Sequence, residues 1–559
     1  MEYRDVMMTI LNRKPALNRP VRMSPSLLLV LAVPTAQVWA QVPPDAGQVL
    51  QQSQPFVQAP LAPSVMLDLE GEPLTEGESG GQTVNLNGVT FTGNTRFSEA
   101  ELLQVLGEAL AQPQDLAGLR HLANQISRHY REQGYPFARA FLPAQSLADG
   151  QLQIEVIEGR YGRVAVTGDE GEVAAVAQPY LAPLSSGSLI ESATLERQML
   201  LLGDLPGMEV MPVMRPGEEV GQGDLEVRVQ ARERVDAWVG ADNHGSRFSG
   251  AYRGRFGANV YRLLTPGDQL SLTALYSSEE TWLGSLEYSL PLGGLGWRGD
   301  VSYAVTDYTL GKGFEGYTGT AEVYRLGARY PLIRRQQSNL SLSLHYQYKD
   351  LNDKIDFAAY RKATESHALP VALQFDRRDG LGFGGVTYGN LVLTPGVLDQ
   401  SLKAGPDDDY SFTSLRLNLA RMQALGHGLE LFGRLDAQWA NRDDLDGSES
   451  FSLGGPNGVR AFPNGEGSDS RGWLAQVELR YRAGAGWTPY LFYDQGYTPD
   501  GGVDEDDERS LSGAGLGVRY RRAGFSFNLS SAWELSGGDA LSDDRQRSPR
   551  VWATAIYRF

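Results

Sequence analysis

The chain has 559 residues, a formal net charge of −18 and a pI near 4.9. That balance excludes nucleic acid as a partner, because phosphate recognition needs clustered Lys and Arg. Cysteine is absent and the six histidines show no paired-ligand spacing, which excludes thiolate metal sites, thiol nucleophiles and disulfides.

Residues 1–40 read as a secretory signal. Arg13, Lys14, Arg19 and Arg22 form a basic region, residues 26–33 are a short apolar run, and Val38-Trp39-Ala40 precedes a cleavage point before Gln41. The run is too short to span a bilayer, so a membrane anchor is the weaker alternative. No later segment approaches the length of a membrane helix, so any membrane role must fall to strands.

Residues 41–83 are poor in apolar side chains. Asp45 to Gln52 has the form of a short helix, and "PFVQAPLAPS" (55–64) is a linker broken by proline. Residues 84–160 then read as an α+β unit. Val84 to Phe91 alternates as a strand, and Ser98 with Glu101 forms a capping box before Leu102, Leu103, Leu106 and Leu110 at helical spacing. A second helix carries Leu116, Leu119, Leu122, Ile126 and Tyr130, with strands expected at 138–143 and 152–157. The order is β-α-α-β-β, and residues 161–233 repeat it loosely.

From 234 to 559 helical periodicity disappears. Leu340, Leu342, Leu344, Tyr346 and Tyr348 alternate with Ser341, Ser343, His345, Gln347 and Lys349; Ala475, Val477, Leu479 and Tyr481 alternate with Gln476, Glu478, Arg480 and Arg482. Large ionised residues on the second face suit a wet lumen better than a sandwich core, and Tyr and Trp recur near strand ends as at a membrane interface. About 325 residues at roughly 20 per strand and turn gives a barrel of about 16 strands. The chain ends in Phe559, which as the last residue of a closing strand has the form of an assembly signal.

Three stretches carry a family likeness: "VDAWVGADNHGSRFSGAYR" (235–253), with Asp242, Asn243 and Gly245; "GGPNGVRAFPNGEGSDSRGWLAQVELRY" (454–481); and "FYDQG" (492–496). In this order they resemble the TpsB transporters of two-partner secretion, in the superfamily that includes BamA. The resemblance runs from about residue 43 to the end.

It implies two tandem periplasmic POTRA domains (84–160 and 161–233) and a 16-stranded β-barrel (234–559) in the outer membrane of a Gram-negative bacterium, with residues 41–83 supplying a plug helix and linker. It implies an in-folded loop bearing Val459, Arg460, Ala461 and Phe462 that meets the wall strand of Phe492, Asp494 and Gly496. A guanidinium there can grip a carboxylate with both arms, and Gly496 is expected to let another backbone approach the wall. Where many superfamily members carry glycine this chain has Ala461, which lacks glycine's freedom at positive φ and leaves the loop-tip conformation an open question.

The implied function is export of a dedicated secreted protein, bound in extended form at the POTRA domains, without ATP, cofactor, metal or catalytic residue. Lipid and lipopolysaccharide surround the barrel, and the barrel-assembly machinery reads Phe559. A BamA-like barrel insertase is the alternative. An enzyme on a barrel anchor is a third reading, for which no Gly-x-Ser-x-Gly elbow is present.

Overall fold

The computed structural model describes residues 44–53, 74, 80–168, 171–358, 360–402, 408–501 and 508–559. The expected secretory signal and the linker 55–64 lie outside the described residues. One short helix, Ala46–Ser53 (α1), precedes two small α+β units.

The first unit runs Gly88–Thr92 (β1), Glu99–Leu106 (α2), Leu116–Glu132 (α3), Arg139–Phe141 (β2) and Gln151–Ile157 (β3). Ser98 and Glu101 close the expected capping box, the Glu101 amide donating to the Ser98 hydroxyl and the Ser98 amide to the Glu101 carboxylate. Helix α3 buries Leu119, Leu122, Ile126 and Tyr130 against Leu152, Ile154 and Val156 of β3. Each such side chain contributes about 1.5–3 kcal/mol on burial. Sheet order is β1-β3-β2, with β1 parallel and β2 antiparallel to β3.

The second unit repeats the plan: Arg160–Gly168 (β4), Gly171–Ala177 (α4), Ser192–Gly203 (α5), Met208–Pro216 (β5) and Gln222–Ala231 (β6), in the order β4-β6-β5. Its first strand starts at Arg160, one residue before the boundary read from the sequence.

Glu158, buried between the two units, accepts hydrogen bonds from the amides of Thr95 and Arg96 (2.6 and 2.7 Å), from the Thr95 hydroxyl, from Tyr130 Oη (3.0 Å) and from Arg160 Nη2 (3.0 Å). Burial pushes this carboxyl up, but the hydrogen bonds from Thr95, Arg96 and Tyr130 outweigh it and hold the group below its ordinary value.

From Val235–Asp242 to Arg550–Arg558 the chain forms a closed antiparallel barrel. Tyr360–Ala368 and Val371–Asp379 are two halves of one strand, since both pair with Ser338–Ile355 and Gly385–Leu402. The break falls at Pro370, which has no N–H for the ladder; its carbonyl still accepts from the His345 amide at 3.0 Å. Counted this way the barrel has sixteen strands, as expected. Leu342, Leu344, Tyr346, Val477 and Leu479 are exposed on the outside, the apolar outer face expected of a membrane barrel.

Two-residue turns such as His427-Gly428 and Ala523-Gly524, all at positive φ, mark one rim. The second α+β unit docks on that rim. Arg334 grips Asp204 with two bonds of 2.7 and 2.6 Å, the Gln336 amide donates to Glu196 at 2.6 Å, and Arg197 donates to the Pro331 carbonyl at 2.7 Å.

Candidate functional site: the occluded lumen

Residues 441–471 join Leu429–Ala440 to Gly472–Tyr481 and fold inward instead of standing in solvent. Val459, Arg460, Ala461 and Phe462 are all buried. Arg460 Nε donates to Asp494 Oδ2 at 2.8 Å and Nη2 to Oδ1 at 2.6 Å, while its main-chain N–H reaches Oδ2 at 3.1 Å. The third guanidinium nitrogen donates to Glu478 Oε1 at 2.7 Å, and the cation lies 3.6 Å from the Phe492 ring centre. Every arm of the arginine is used. A lysine has one ammonium point and cannot reproduce this.

The strand Arg509–Arg522 accounts for how the loop tip comes so close to the wall. Gly513, Gly515 and Gly517 alternate along it, and a Cβ added at Gly513 would lie 2.6 Å from the Ala461 methyl. Ala461 is not among the residues at positive φ, so its methyl causes no backbone strain. The departure from glycine at this position therefore brings no steric demand on the loop tip. At Gly496 an added Cβ would meet the Leu453 side chain of the loop at 2.7 Å, the Trp473 carbonyl of the neighbouring strand at 3.3 Å and the Val459 side chain at 3.4 Å, so the glycine makes room for the loop against the wall.

The loop is fastened on further sides that the sequence did not reveal. Trp552 Nε1, on the closing strand, donates to the Arg460 carbonyl at 2.8 Å, and Asn464 Nδ2 donates to the His244 carbonyl at 2.6 Å. Glu466, fully buried, accepts from Arg509 Nε (3.0 Å), from the Leu541 and Ser542 amides (both 2.9 Å) and from the Ser542 hydroxyl (2.9 Å). Glu478 could have been suspected, because strand alternation places it on the Arg480 face. Trp552 and Glu466 carried no local signal.

Helix α1 lies inside the barrel, packed against Arg298–Thr309, Tyr317–Arg334 and Ser338–Ile355. Ala46, Val49 and Leu50 are buried with Tyr308, Ala321, Val323 and Leu351. Asp45 caps the helix, accepting from the Gln48 amide at 2.8 Å, and the Ala46 amide donates to Asp353 Oδ1 at 2.8 Å. The helix also leans on the loop: Gln51 Nε2 donates to the Ser450 carbonyl at 2.6 Å, and a Cβ on Gly47 would fall 2.2 Å from the Ser448 nitrogen. Two wall lysines grip the same part of the loop, Lys349 on Glu449 (2.6 Å) and Lys362 on Asp446 (2.9 Å).

Asp242, Asn243 and Gly245 sit where the first strand turns. Asp242 accepts from Arg253 Nε at 2.7 Å, and the Gly245 amide donates to the Ala251 carbonyl at 3.2 Å. Asn243 extends the ladder to the closing strand with its side chain: Nδ2 donates to the Val551 carbonyl at 2.9 Å and Oδ1 accepts from the Ala553 amide at 2.7 Å. Phe559 pairs by its amide with the Ala237 carbonyl at 3.0 Å, its ring exposed. The structure thus joins 459–462 with Phe492 and Asp494, and places Asp242, Asn243 and Phe559 along the junction of first and last strands.

The sequence profile of the haemolysin secretion/activation proteins ShlB/FhaC/HecB matches residues 221–520, more than half of the chain. The chain belongs to this family. The profile of ShlB-type POTRA domains matches residues 84–159, the first α+β unit.

Relatives of this ShlB/FhaC/HecB member include the heme/hemopexin transporter protein HuxB of Haemophilus influenzae, 26% identical over 82% of this chain and 84% of that protein. The outer membrane transporter CdiB of Dickeya dadantii is 24% identical over 88% and 87%, and the hemolysin transporter protein ShlB of Serratia marcescens 26% over 83% and 85%. The solved structure of CdiB from Escherichia coli superposes with a TM-score of 0.70 over 87% of this chain and 93% of that one, at 21% identity, and so shares its fold. As a two-partner secretion transporter the protein resides in the outer membrane with its POTRA domains in the periplasm. The rim of short turns, where the second unit docks, is accordingly the periplasmic one.

Proposed function

We propose that this protein exports one dedicated secreted partner, an adhesin- or haemolysin-like polypeptide, through its barrel without ATP. The observation that supports this most is the doubly occupied lumen. Helix α1 and loop 441–471 obstruct the same channel, and both are held by hydrogen bonds and ion pairs that can exchange with water or a passing chain.

In this reading the partner arrives unfolded and adds a strand to a free sheet edge of a POTRA domain. Pro212 and Pro216 each remove a backbone donor from edge strand β5, which favours the edges of the first domain. The chain then displaces helix and loop, and its folding outside prevents return. No step needs a catalytic residue. In the same reading the barrel-assembly machinery recognises the closing strand ending at Phe559.

Reconstitution tests this. The purified protein in liposomes, given the denatured partner outside and no nucleotide, should move the partner to a protease-protected interior. Absence of protected partner under conditions where the barrel conducts ions would overturn the proposal.

A further inference from the structure

A cavity of about 630 Å³ lies on the outer face of the barrel, across the junction of the first and closing strands. Its size falls within the roughly 300–1,000 Å³ of clefts that hold small ligands. Ala241, Ala553 and Ala555 form the floor, with Phe527 as one wall and Tyr252 and Tyr276 as the other. Ala553 and Ala555 alternate with inward residues and share the face of exposed Val551 and Tyr557. The depression therefore opens to the bilayer.

Two features identify the occupant. The lining side chains that face outward are apolar except at one end, where Asn243 and Ser278 follow the extracellular ends of their strands, while Asp242 and Arg253 turn inward and pair with each other at 2.7 Å. The Phe527 end, near the start of Phe525–Ser536, has no such rim. An amphiphile fits such a groove with its polar part outward, the orientation of a lipid of the outer leaflet. Water does not fill a depression walled by alanine and aromatic carbon within hydrocarbon.

The regular ladder at the junction has five residue pairs, from Thr554↔Asp242 to Arg558↔Trp238, against eight between the first two strands, and is extended only by Phe559 with Ala237 and by Asn243 with Val551 and Ala553. Inside the barrel this junction is bridged by the loop tip, through Trp552 on the closing strand and the His244 carbonyl beyond the first. Outside, nothing of the described chain covers it.

We propose that this groove seats one acyl chain of lipopolysaccharide, which seals the outer side of the junction. The chain lies against Ala553 and Ala555 between Phe527 and Tyr276, and the headgroup meets the polar rim near Asn243 and Ser278.

Photo-crosslinking in native outer membranes tests it. Benzoylphenylalanine replaces Tyr276 in the groove wall or Trp439, an exposed aromatic at the extracellular end of its strand outside the groove. Adducts are detected with an antibody to lipopolysaccharide and by mass for phospholipid. The lipopolysaccharide adduct at 276 should exceed that at 439 several-fold. Gly254→Trp should abolish the excess, since a side chain at 254 enters open space with its nearest neighbour, the Tyr276 carbonyl, at 4.0 Å. If that variant fails to show heat-modifiable migration, Ala553→Leu fills the groove from the closing strand instead. Equal yields at 276 and 439, phospholipid as the main adduct at 276, or an excess that survives filling in a folded barrel would each overturn the proposal.

Discussion

Trp552 Nε1 donates to the carbonyl of Arg460 at 2.8 Å, so the loop tip that grips Asp494 is also tied to the last strand of the barrel. The guanidinium holds two wall strands through Asp494 and Glu478, and the carbonyl of the same residue holds a third. One residue thus fixes the loop from both its side chain and its backbone.

The Arg460 variants should therefore form a graded series. Arg460→Ala leaves the buried Asp494 carboxylate without its guanidinium, a cost of about 3–5 kcal/mol for a broken buried pair, while Glu478 keeps Arg480 (2.7 Å) and Arg519 (2.9 Å). Asp494→Ala leaves the arginine bonded to Glu478 and should be milder. Both should assemble as heat-modifiable barrels and lower partner secretion, Arg460→Ala more and Arg460→Lys in between. Secretion assays with protease accessibility of the loop check the order, and full secretion by both alanine variants would remove the loop's assigned role.

Trp552→Phe keeps the buried ring and deletes one donor. A loss of about 0.5–1.5 kcal/mol is expected for one neutral hydrogen bond, seen as a lower unfolding temperature on semi-native gels with barrel migration otherwise unchanged.

Gly47→Leu should eject the helix, because any Cβ at 47 runs into the Ser448 backbone at 2.2 Å. Planar-bilayer recordings should show higher conductance than the parent, close to that of a chain lacking residues 44–53. A conductance equal to the parent's would show that α1 is not the obstruction.

Glu158 gives the POTRA pair a pH dependence of defined sign. Its folded value lies below the ordinary value near 4.5, so its contribution is fully present above pH 4.5 and is lost as pH falls through the folded value. Melting of the isolated 80–233 segment, if it folds alone, should weaken with acid below about pH 4.5. Glu158→Gln should flatten that dependence and lower stability by about 1–3 kcal/mol, as for a buried acceptor left poorly matched. The same measurement on the full-length protein, following POTRA proteolysis, serves if the segment does not fold.

Much of this architecture was legible because it is periodic. The capping box at Ser98, the apolar spacing of α3 and the alternation along Ser338–Ile355 are local patterns that the backbone geometry enforces. The interrupted strand around Pro370 was not foreseen, since the sequence shows proline but not that both halves keep the same two neighbours. In the lumen, Arg460 and Asp494 carried a motif. Glu466, Trp552, Lys349 and Lys362 did not, because their hydrogen-bond partners lie 43 to 100 positions away and only closure of the barrel brings them together. What Gly496 and Ala461 face was hidden for a similar reason: sequence shows that a residue is small, not what stands opposite it.

The docking of the second POTRA domain has a directional consequence. Its contacts fall on the rim at 262–268, 292–297 and 331–337, beneath the wall against which α1 is packed. Asp494 and Glu478 stand on the far side of the ring. Among the described residues the contacts of this domain are thus lopsided, gathered under the helix and away from the strands that hold the arginine. On the proposed export reading, a polypeptide that enters on the side away from this domain meets the arginine anchor before the helix, so the place of entry and not the relative strength of the two barriers sets the order in which they give way.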